Sequence, residues 1–219
     1  MTPDLRLYAL VDPAVAGGRS LPELAKLLIG TATLVQLRDK HGTTRAMIDA
    51  ARALKAVLAP AGIPLLINDR VDVALAAQAD GVHIGQDDMD AADARRLLGP
   101  KGIIGRSIRA PAQAAAAPLD AVDYVAIGGV YATTSKDNTA APIGTQGLRA
   151  IAAAIRARKA GYPVCAIAGI TAANAGEVIA AGADGVAVIS ALSLAAEPVA
   201  AARELRAAVD DALKRRGQG

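Results

Sequence analysis

The chain has no Phe, no Trp and only four Tyr among its 219 residues, so aromatics make up 2% of it. With 53% hydrophobic residues it is far from the composition of a disordered segment, and its core has to be assembled from Ala, Val, Ile and Leu in small, closely packed layers. A single cysteine, Cys165, rules out an intramolecular disulfide framework and fits a reducing interior. Cys165 sits in the apolar run Pro163 to Ile167 and reads as packing. No apolar run approaches the roughly 20 residues that a membrane span needs. The N-terminal Met1-Thr2-Pro3-Asp4 passes into a strand pattern with neither the basic nor the apolar region of a signal peptide. A cytoplasmic protein with no membrane partner is expected. Basic clusters interleaved with aromatics are also missing. The 24 basic and 21 acidic residues are scattered, which argues against a nucleic-acid partner despite a pI of 9.2. Lys214-Arg215-Arg216 reads as the end of a helix, where cations suit the dipole.

What is present is a repeating alternation. Short β-branched or apolar runs occur at Leu5–Val11, Leu34–Arg38, Pro64–Asn68, Gly81–Gly85, Gly102–Ser107, Tyr124–Val130, Pro163–Gly169 and Gly185–Ser190. Between them lie Ala/Leu-rich stretches of helical spacing, among them Leu21–Leu28, Arg45–Leu58, Ala91–Leu98, Leu148–Ala157 and Ala200–Leu213, with a weaker one at Ala110–Ala117 between Pro111 and Pro118. Alternating short strands and helices imply βαβ units on a parallel sheet. Eight such units predict an α/β fold, a (β/α)₈ TIM barrel forming one domain over 1–219. The alternative, an open doubly wound sheet, usually carries a Gly-rich fingerprint after its first strand, and here that strand ends in Val11-Asp12-Pro13. Ala79-Asp80-Gly81-Val82 is echoed by Ala183-Asp184-Gly185-Val186 about half a chain later, as in a duplicated half-barrel.

Barrel chemistry is expected at the C-terminal strand ends, and the polar residues there form a pattern. Gln36, Arg38 and Lys40 alternate along one strand and so share a face. Asn68 and Asp69 end the third strand, and Asp69 reads either as a helix cap or as a ligand. Asp88 follows the fourth strand, with Asp87 as its competitor and Asp90 as a helix cap. Two carboxylates on adjacent strand ends suit Mg²⁺, which takes one or two carboxylates together with phosphate oxygens. Ser107 reads as a phosphate donor, not a nucleophile. A serine nucleophile needs a base, and the only histidines are His41 and His83, the latter inside a strand pattern. Thr133-Thr134-Ser135-Lys136 reads as an anion-binding lid or as a plain polar loop. Gly169, Ile189 and Ser190 sit after strands seven and eight, where barrels commonly hold a phosphate on backbone N–H groups. Two anion sites in one barrel suggest a transfer between two small-molecule substrates.

These residues resemble the thiamine phosphate synthase family. The resemblance runs through Gln36-x-Arg38-x-Lys40, Asn68-Asp69, His83-Ile84-Gly85-Gln86-Asp87-Asp88, Gly105-Arg106-Ser107, Thr133-Thr134-Ser135-Lys136, Gly169-Ile170 and Ile189-Ser190. It implies condensation of 4-amino-5-hydroxymethyl-2-methylpyrimidine diphosphate with 4-methyl-5-(2-phosphoethyl)thiazole, giving thiamine monophosphate and pyrophosphate by a Mg²⁺-assisted dissociative route. It further implies Mg²⁺ on Asp69 and Asp88, and pyrophosphate on Arg38, Lys40, Asn68, Ser107 and Lys136. The pyrimidine would lie at Gln36, and the thiazole phosphate at Thr133, Ser135, Gly169, Ile189 and Ser190. Arg38, Lys40, Ser107 and Lys136 would act on the leaving group. The chain departs from the family's usual pattern with Gly129 and Ala132 where prolines stand, Ser135 for Thr, and Ala168 for the first of two glycines. The first two are expected to loosen the lid. Rival readings are a thiazole tautomerase, a phosphate-binding isomerase or epimerase, and a non-catalytic ligand-binding barrel. The Ala-rich helix exteriors leave room for a homo-oligomer.

Overall fold

The structure is a computed structural model that describes residues 2–133 and 140–217. Eight parallel strands close on themselves in chain order: β1 (Leu7–Val11), β2 (Leu34–Leu37), β3 (Leu65–Asn68), β4 (Gly81–Ile84), β5 (Ile103–Ile108), β6 (Tyr124–Ile127), β7 (Val164–Ile167) and β8 (Gly185–Val188). The helices among the described residues are α1 (Leu21–Leu28), α2 (Thr44–Leu58), α3 (Val71–Ala77), α4 (Ala91–Leu98), α5 (Pro111–Ala116), α6 (Gly144–Arg158), α7 (Ala172–Ala180), the short α8 (Ser190–Ser193) and α9 (Pro198–Gly217). This is the expected barrel. None of these helices is long and apolar enough to cross a membrane.

Each strand is buried on both faces, and its side chains divide with period two. Odd-numbered residues of β1 and β2, such as Leu7, Ala9, Val35 and Leu37, join the layer between barrel and helices. Their even-numbered neighbours Tyr8, Leu10 and Leu34 join a separate interior cluster with Leu66, Tyr124, Ala126, Cys165 and Ala187. Along β2, Gln36 takes the next interior position and Arg38 follows beyond the strand end. This is how one alternation delivers polar side chains to the mouth of an otherwise apolar barrel. Cys165 is buried inside it, and burial pushes its thiol well above the usual range, as befits a packing role.

The Asp80/Asp184 echo has a physical basis, and the structure shows it recurring more often than a half-barrel duplication requires. Just before β4, Asp80 accepts the Leu65 N–H at 2.8 Å and the Lys55 ammonium at 2.6 Å. Before β6, Asp123 accepts the Ile104 N–H at 2.8 Å and the Arg95 guanidinium at 2.6 Å. Before β8, Asp184 accepts the Val164 N–H at 2.9 Å and the Arg156 guanidinium at 2.7 Å. In each case one carboxylate satisfies the first free donor of the preceding strand and pins the helix that leads into that strand. Before β2, Thr33 Oγ1 takes the Leu7 N–H at 3.1 Å in the same position. The repeat unit of this device is therefore a pair of strands. Arg216 adds a third partner to Asp184 at 2.7 Å, so the basic C-terminus is a clamp on the barrel floor. Asp184→Ala leaves the Val164 N–H unpaired and two guanidinium groups without a carboxylate. It is expected to cost about 2–3 kcal/mol, seen as a lower urea midpoint at unchanged slope.

Boundaries differ from expectation where glycine or backbone strain intervenes. Helix α6 begins at Gly144, four residues before the expected start, because Gly144 and Gly147 carry no apolar signal. Strand β7 stops at Ile167 because Ala168 and Gly169 turn to φ +98° and +66°. Ala168 is strained there, since its Cβ opposes the left-handed region. Ala168→Gly should relieve that strain by more than the added chain entropy costs. A thermal midpoint raised by about 2 °C is the expected reading.

Candidate active site

A cavity of about 1080 Å³ opens at the C-terminal strand ends. Gln36, Arg38 and Lys40 line it from β2, and Asn68 and Asp69 from β3. Asp88 and Ser107 follow from the ends of β4 and β5, Thr133 from the loop after β6, and Gly169, Ile189 and Ser190 from the far side. Ser135 and Lys136 lie outside the described residues.

The alternation in β2 works as its spacing implied. Gln36 is 1% exposed, and its amide nitrogen donates to the Tyr8 hydroxyl, while its Oε1 is buried with no hydrogen-bond partner among the described residues. Arg38 is held by Asp12 at the end of β1, and Lys40 by Asp69 at the end of β3. The sequence marks Asp12 only as the end of a strand. It pairs with Arg38 because the register sets Val11 beside Leu37 and both chains continue in step past that point. Asn68 presents a second orphan, a buried Nδ2. Buried amide groups without partners are costly unless a ligand completes them.

Asp69 does not cap a helix. The cap position of α3 belongs to Arg70, which makes no side-chain cap. Asp69 instead adopts φ +63°, with its N–H given to the His83 carbonyl at 2.8 Å and its carboxylate turned into the cavity against Lys40. Asp88 is bent back over the same spot, accepting the Gly85 N–H at 2.6 Å. Burial first, then the adjacent Asp69 carboxylate, hold the Asp88 carboxyl above the usual range, with Gly85 and Lys40 opposing the shift. Asp87 is exposed and Asp90 caps α4 on the Ala92 N–H at 2.8 Å, so Asp88 is the acid that meets Asp69. Among the described residues no group of three or more His, Cys, Asp or Glu is placed to hold a metal. A two-carboxylate set of hard oxygens, partly buried and paired at Asp69 with Lys40, fits a Mg²⁺ that arrives with phosphate oxygens.

One expectation is corrected at Ser107. His83 lies inside a strand, yet its Nε2 is 2.9 Å from Ser107 Oγ, so a base does stand beside this serine. His83 and Ser107 both point into the barrel from adjacent strands, with Gly105 opposite His83 in register, so a histidine within the strand still reaches the serine. From His83 Nδ1 the contacts continue to the Tyr124 hydroxyl at 2.9 Å and on to the Tyr8 hydroxyl at 2.9 Å, ending at Gln36. Gly105 makes this crossing possible, because a Cβ there would stand 2.1 Å from Tyr124 Cζ and 2.5 Å from His83 Nδ1. Tyr8, His83 and Tyr124 are the site residues that sequence reasoning passed over. The available signal was two of the four tyrosines at interior positions of an aliphatic barrel.

On the opposite wall Gly169 does not simply admit a ligand. The place of its missing Cβ is taken by the Ala132 carbonyl at 2.4 Å and by Tyr131. Gly129 sits beside Arg109. At φ +74° it could not be proline, and a side chain would strike the Arg109 guanidinium at 2.8 Å. Arg109 donates to the Ala140 and Ala141 carbonyls at 2.8 and 3.0 Å, while Ile143 and Gly144 bond back to Gly129 and Val130. Arg109 thus adds a cation beside the cavity that the sequence did not single out. Ile189 and Ser190 open the short α8, an element that pattern alone did not reveal.

Comparison with known proteins gives one consistent answer. The family model described as thiamine monophosphate synthase matches residues 7–192. A thiamine-phosphate synthase of Agrobacterium fabrum is 51% identical over 214 residues, covering 97% of each chain. Another from Chloroflexus aurantiacus is 49% identical over 207 residues, covering 94% of this chain and 93% of its own. Among solved structures, a thiamine phosphate pyrophosphorylase from Pyrococcus furiosus superposes with a TM-score of 0.82 at 34% identity, covering 96% of this chain and 98% of that one.

Proposed function

The chain belongs to the thiamine monophosphate synthase family and condenses the pyrimidine diphosphate with the thiazole phosphate to thiamine monophosphate and pyrophosphate, and we propose that it does so by a dissociative route within one barrel domain over 1–219. The observation that carries this reading is the convergence of Arg38, Lys40, Asn68 and the Asp69–Asp88 pair on one side of a cavity whose other side is the backbone at 169–170 and 189–190.

In the proposed route the bond between the pyrimidine methylene carbon and the diphosphate oxygen breaks first, and its electron pair leaves with the diphosphate. Arg38, Lys40, Lys136 and the Asn68 amide take up the charge that develops on those oxygens, with Ser107 donating beside them. Mg²⁺ on Asp69 and Asp88 would supply further neutralisation of the leaving group. The aminopyrimidine ring, resting against Gln36, delocalises the resulting cation. The thiazole, anchored by its phosphate at Gly169, Ile189 and Ser190 with Thr133 and Ser135 as further donors, presents its nitrogen lone pair to the methylene carbon and closes the new C–N bond. Neither step requires a protein nucleophile. The cavity orients the partners and keeps water from the cation.

A tautomerase reading is disfavoured by the retained acid at Asp69, and a non-catalytic one by a paired carboxylate site that a sensor would not need. The test is direct. The purified protein, both substrates and Mg²⁺ should yield thiamine monophosphate, detected by oxidation to fluorescent thiochrome, and EDTA should stop it. Formation of a thiazole isomer without coupling would overturn the proposal.

A further inference from the structure

The chain of contacts from Gln36 to His83 is continuous and buried, and it ends at Ser107, which is partly buried at the cavity wall. Tyr8 and Tyr124 are 1% and 0% exposed, His83 is 7% exposed, and the two phenol rings meet edge to face at 5.9 Å. Burial pushes both hydroxyls well above their ordinary range, so each keeps its one proton. A neutral imidazole likewise carries one N–H and one acceptor. A hydroxyl in such a row that accepts from both sides leaves its own hydrogen unpaired, so only two settings keep every buried hydrogen bonded, and the 2.9 Å contact between the Tyr8 and Tyr124 oxygens suits donation from either.

In the first setting Gln36 Nε2 donates to Tyr8, Tyr8 to Tyr124 and Tyr124 to His83 Nδ1, which leaves His83 Nε2–H donating to Ser107. Ser107 then keeps its own hydrogen for the cavity, and the Gln36 carbonyl, buried in this structure, is the acceptor left for a ligand. In the second setting every bond is reversed. Ser107 gives its hydrogen to His83, and Gln36 presents its NH₂ group. An anion beside Ser107 accepts hydrogen bonds and does not donate them, so it is compatible with the first setting only. That setting also leaves Gln36 Oε1 as the buried acceptor without a partner.

We propose that Tyr8, Tyr124 and His83 are positioning residues that fix the Gln36 amide with its carbonyl toward the pyrimidine, so that the site selects a hydrogen-bond donor at the ring's exocyclic position and rejects an acceptor there. The proposal rests on the reading that Gln36 faces the pyrimidine. The 4-amino group of the substrate is such a donor, and a 4-oxo analogue presents an acceptor in its place. With the relay intact the oxo analogue meets carbonyl against carbonyl, the kind of mismatch that costs orders of magnitude in kcat/KM. In Tyr124→Phe the ring packing stays, but Tyr8 has lost its acceptor. Tyr8 then donates to Gln36 Oε1, and the amide turns its NH₂ group to the ligand.

The experiment compares kcat/KM for the 4-amino and 4-oxo pyrimidine diphosphates in wild type, Tyr124→Phe, Tyr8→Phe and Gln36→Met. The expected result is that the amino-over-oxo preference falls by at least about tenfold in both tyrosine variants, chiefly through KM. A merely structural role would lower both substrates equally and leave the ratio unchanged, which would overturn the relay. If Gln36→Met also leaves the ratio unchanged, the placement of the pyrimidine at Gln36 is what has failed. If Gln36→Met collapses the ratio and the tyrosine variants do not, the pyrimidine placement stands and the relay falls.

Discussion

Asp69→Asn is expected to lower kcat by about two to three orders of magnitude while leaving the fold in place. Asn accepts the left-handed backbone that Asp69 holds at φ +63°, so the turn out of β3 is preserved. The ion pair with Lys40 is lost, but Lys40 is half exposed, and such pairs contribute only about 0–1 kcal/mol. What disappears is one of the two carboxylates proposed to hold Mg²⁺, and with it the relief of charge on the departing diphosphate. Steady-state rates across a Mg²⁺ titration, read beside a thermal melt, check this. A melt close to wild type with a rate that excess Mg²⁺ cannot restore is the expected pair of results. A near-normal rate would remove Asp69 from the metal site. Asp69→Ala is the less informative variant, because alanine at that φ adds about 1–3 kcal/mol of strain and confounds chemistry with folding.

The second large effect is on stability. Gly185 begins β8, where the barrel closes on β1, and a Cβ on it would stand 1.7 Å from the Leu5 carbonyl oxygen and 2.1 Å from its carbon. Both are backbone atoms, so no side chain can rotate away. The strands would have to separate at the seam that closes the barrel. Overpacking in a core commonly costs 1–3 kcal/mol, and a rigid backbone clash belongs at or above the top of that range. Gly185→Ala is therefore expected to lose about 3 kcal/mol or more. For a chain of this size that is a thermal midpoint lower by about 10 °C. Gly81→Ala should behave alike, since its Cβ would lie 1.8 Å from the Ile103 carbonyl oxygen. Melts of both variants that overlay wild type would show that the seams yield more easily than the geometry implies.

These glycines also show how far the sequence reached. The Asp-Gly echo could be read as a repeat, but its reason was invisible. The glycine admits the backbone of the strand on one side and the aspartate just before it receives an N–H from the strand on the other, and these partners are brought together only by barrel closure. The same holds at Gly169 and Gly129, where the sequence suggested ligand access and loop freedom. The structure fills their empty Cβ positions with Ala132 and Arg109.

The sequence by itself determined the fold class and most of the cavity's inventory. Strand and helix periodicities are local, and eight alternating units leave few ways to bury their apolar faces. The two-residue period sent Gln36 and Arg38 inward together without any knowledge of the tertiary fold. Tertiary structure alone decided the partnerships: Arg38 with Asp12, Lys40 with Asp69, Asp88 against Asp69 in place of Asp87, and Ser107 with His83. Each of these joins residues from different strand ends, and which ends meet depends on barrel register and on the backbone turn after each strand. Neither is written in the spacing of any one segment.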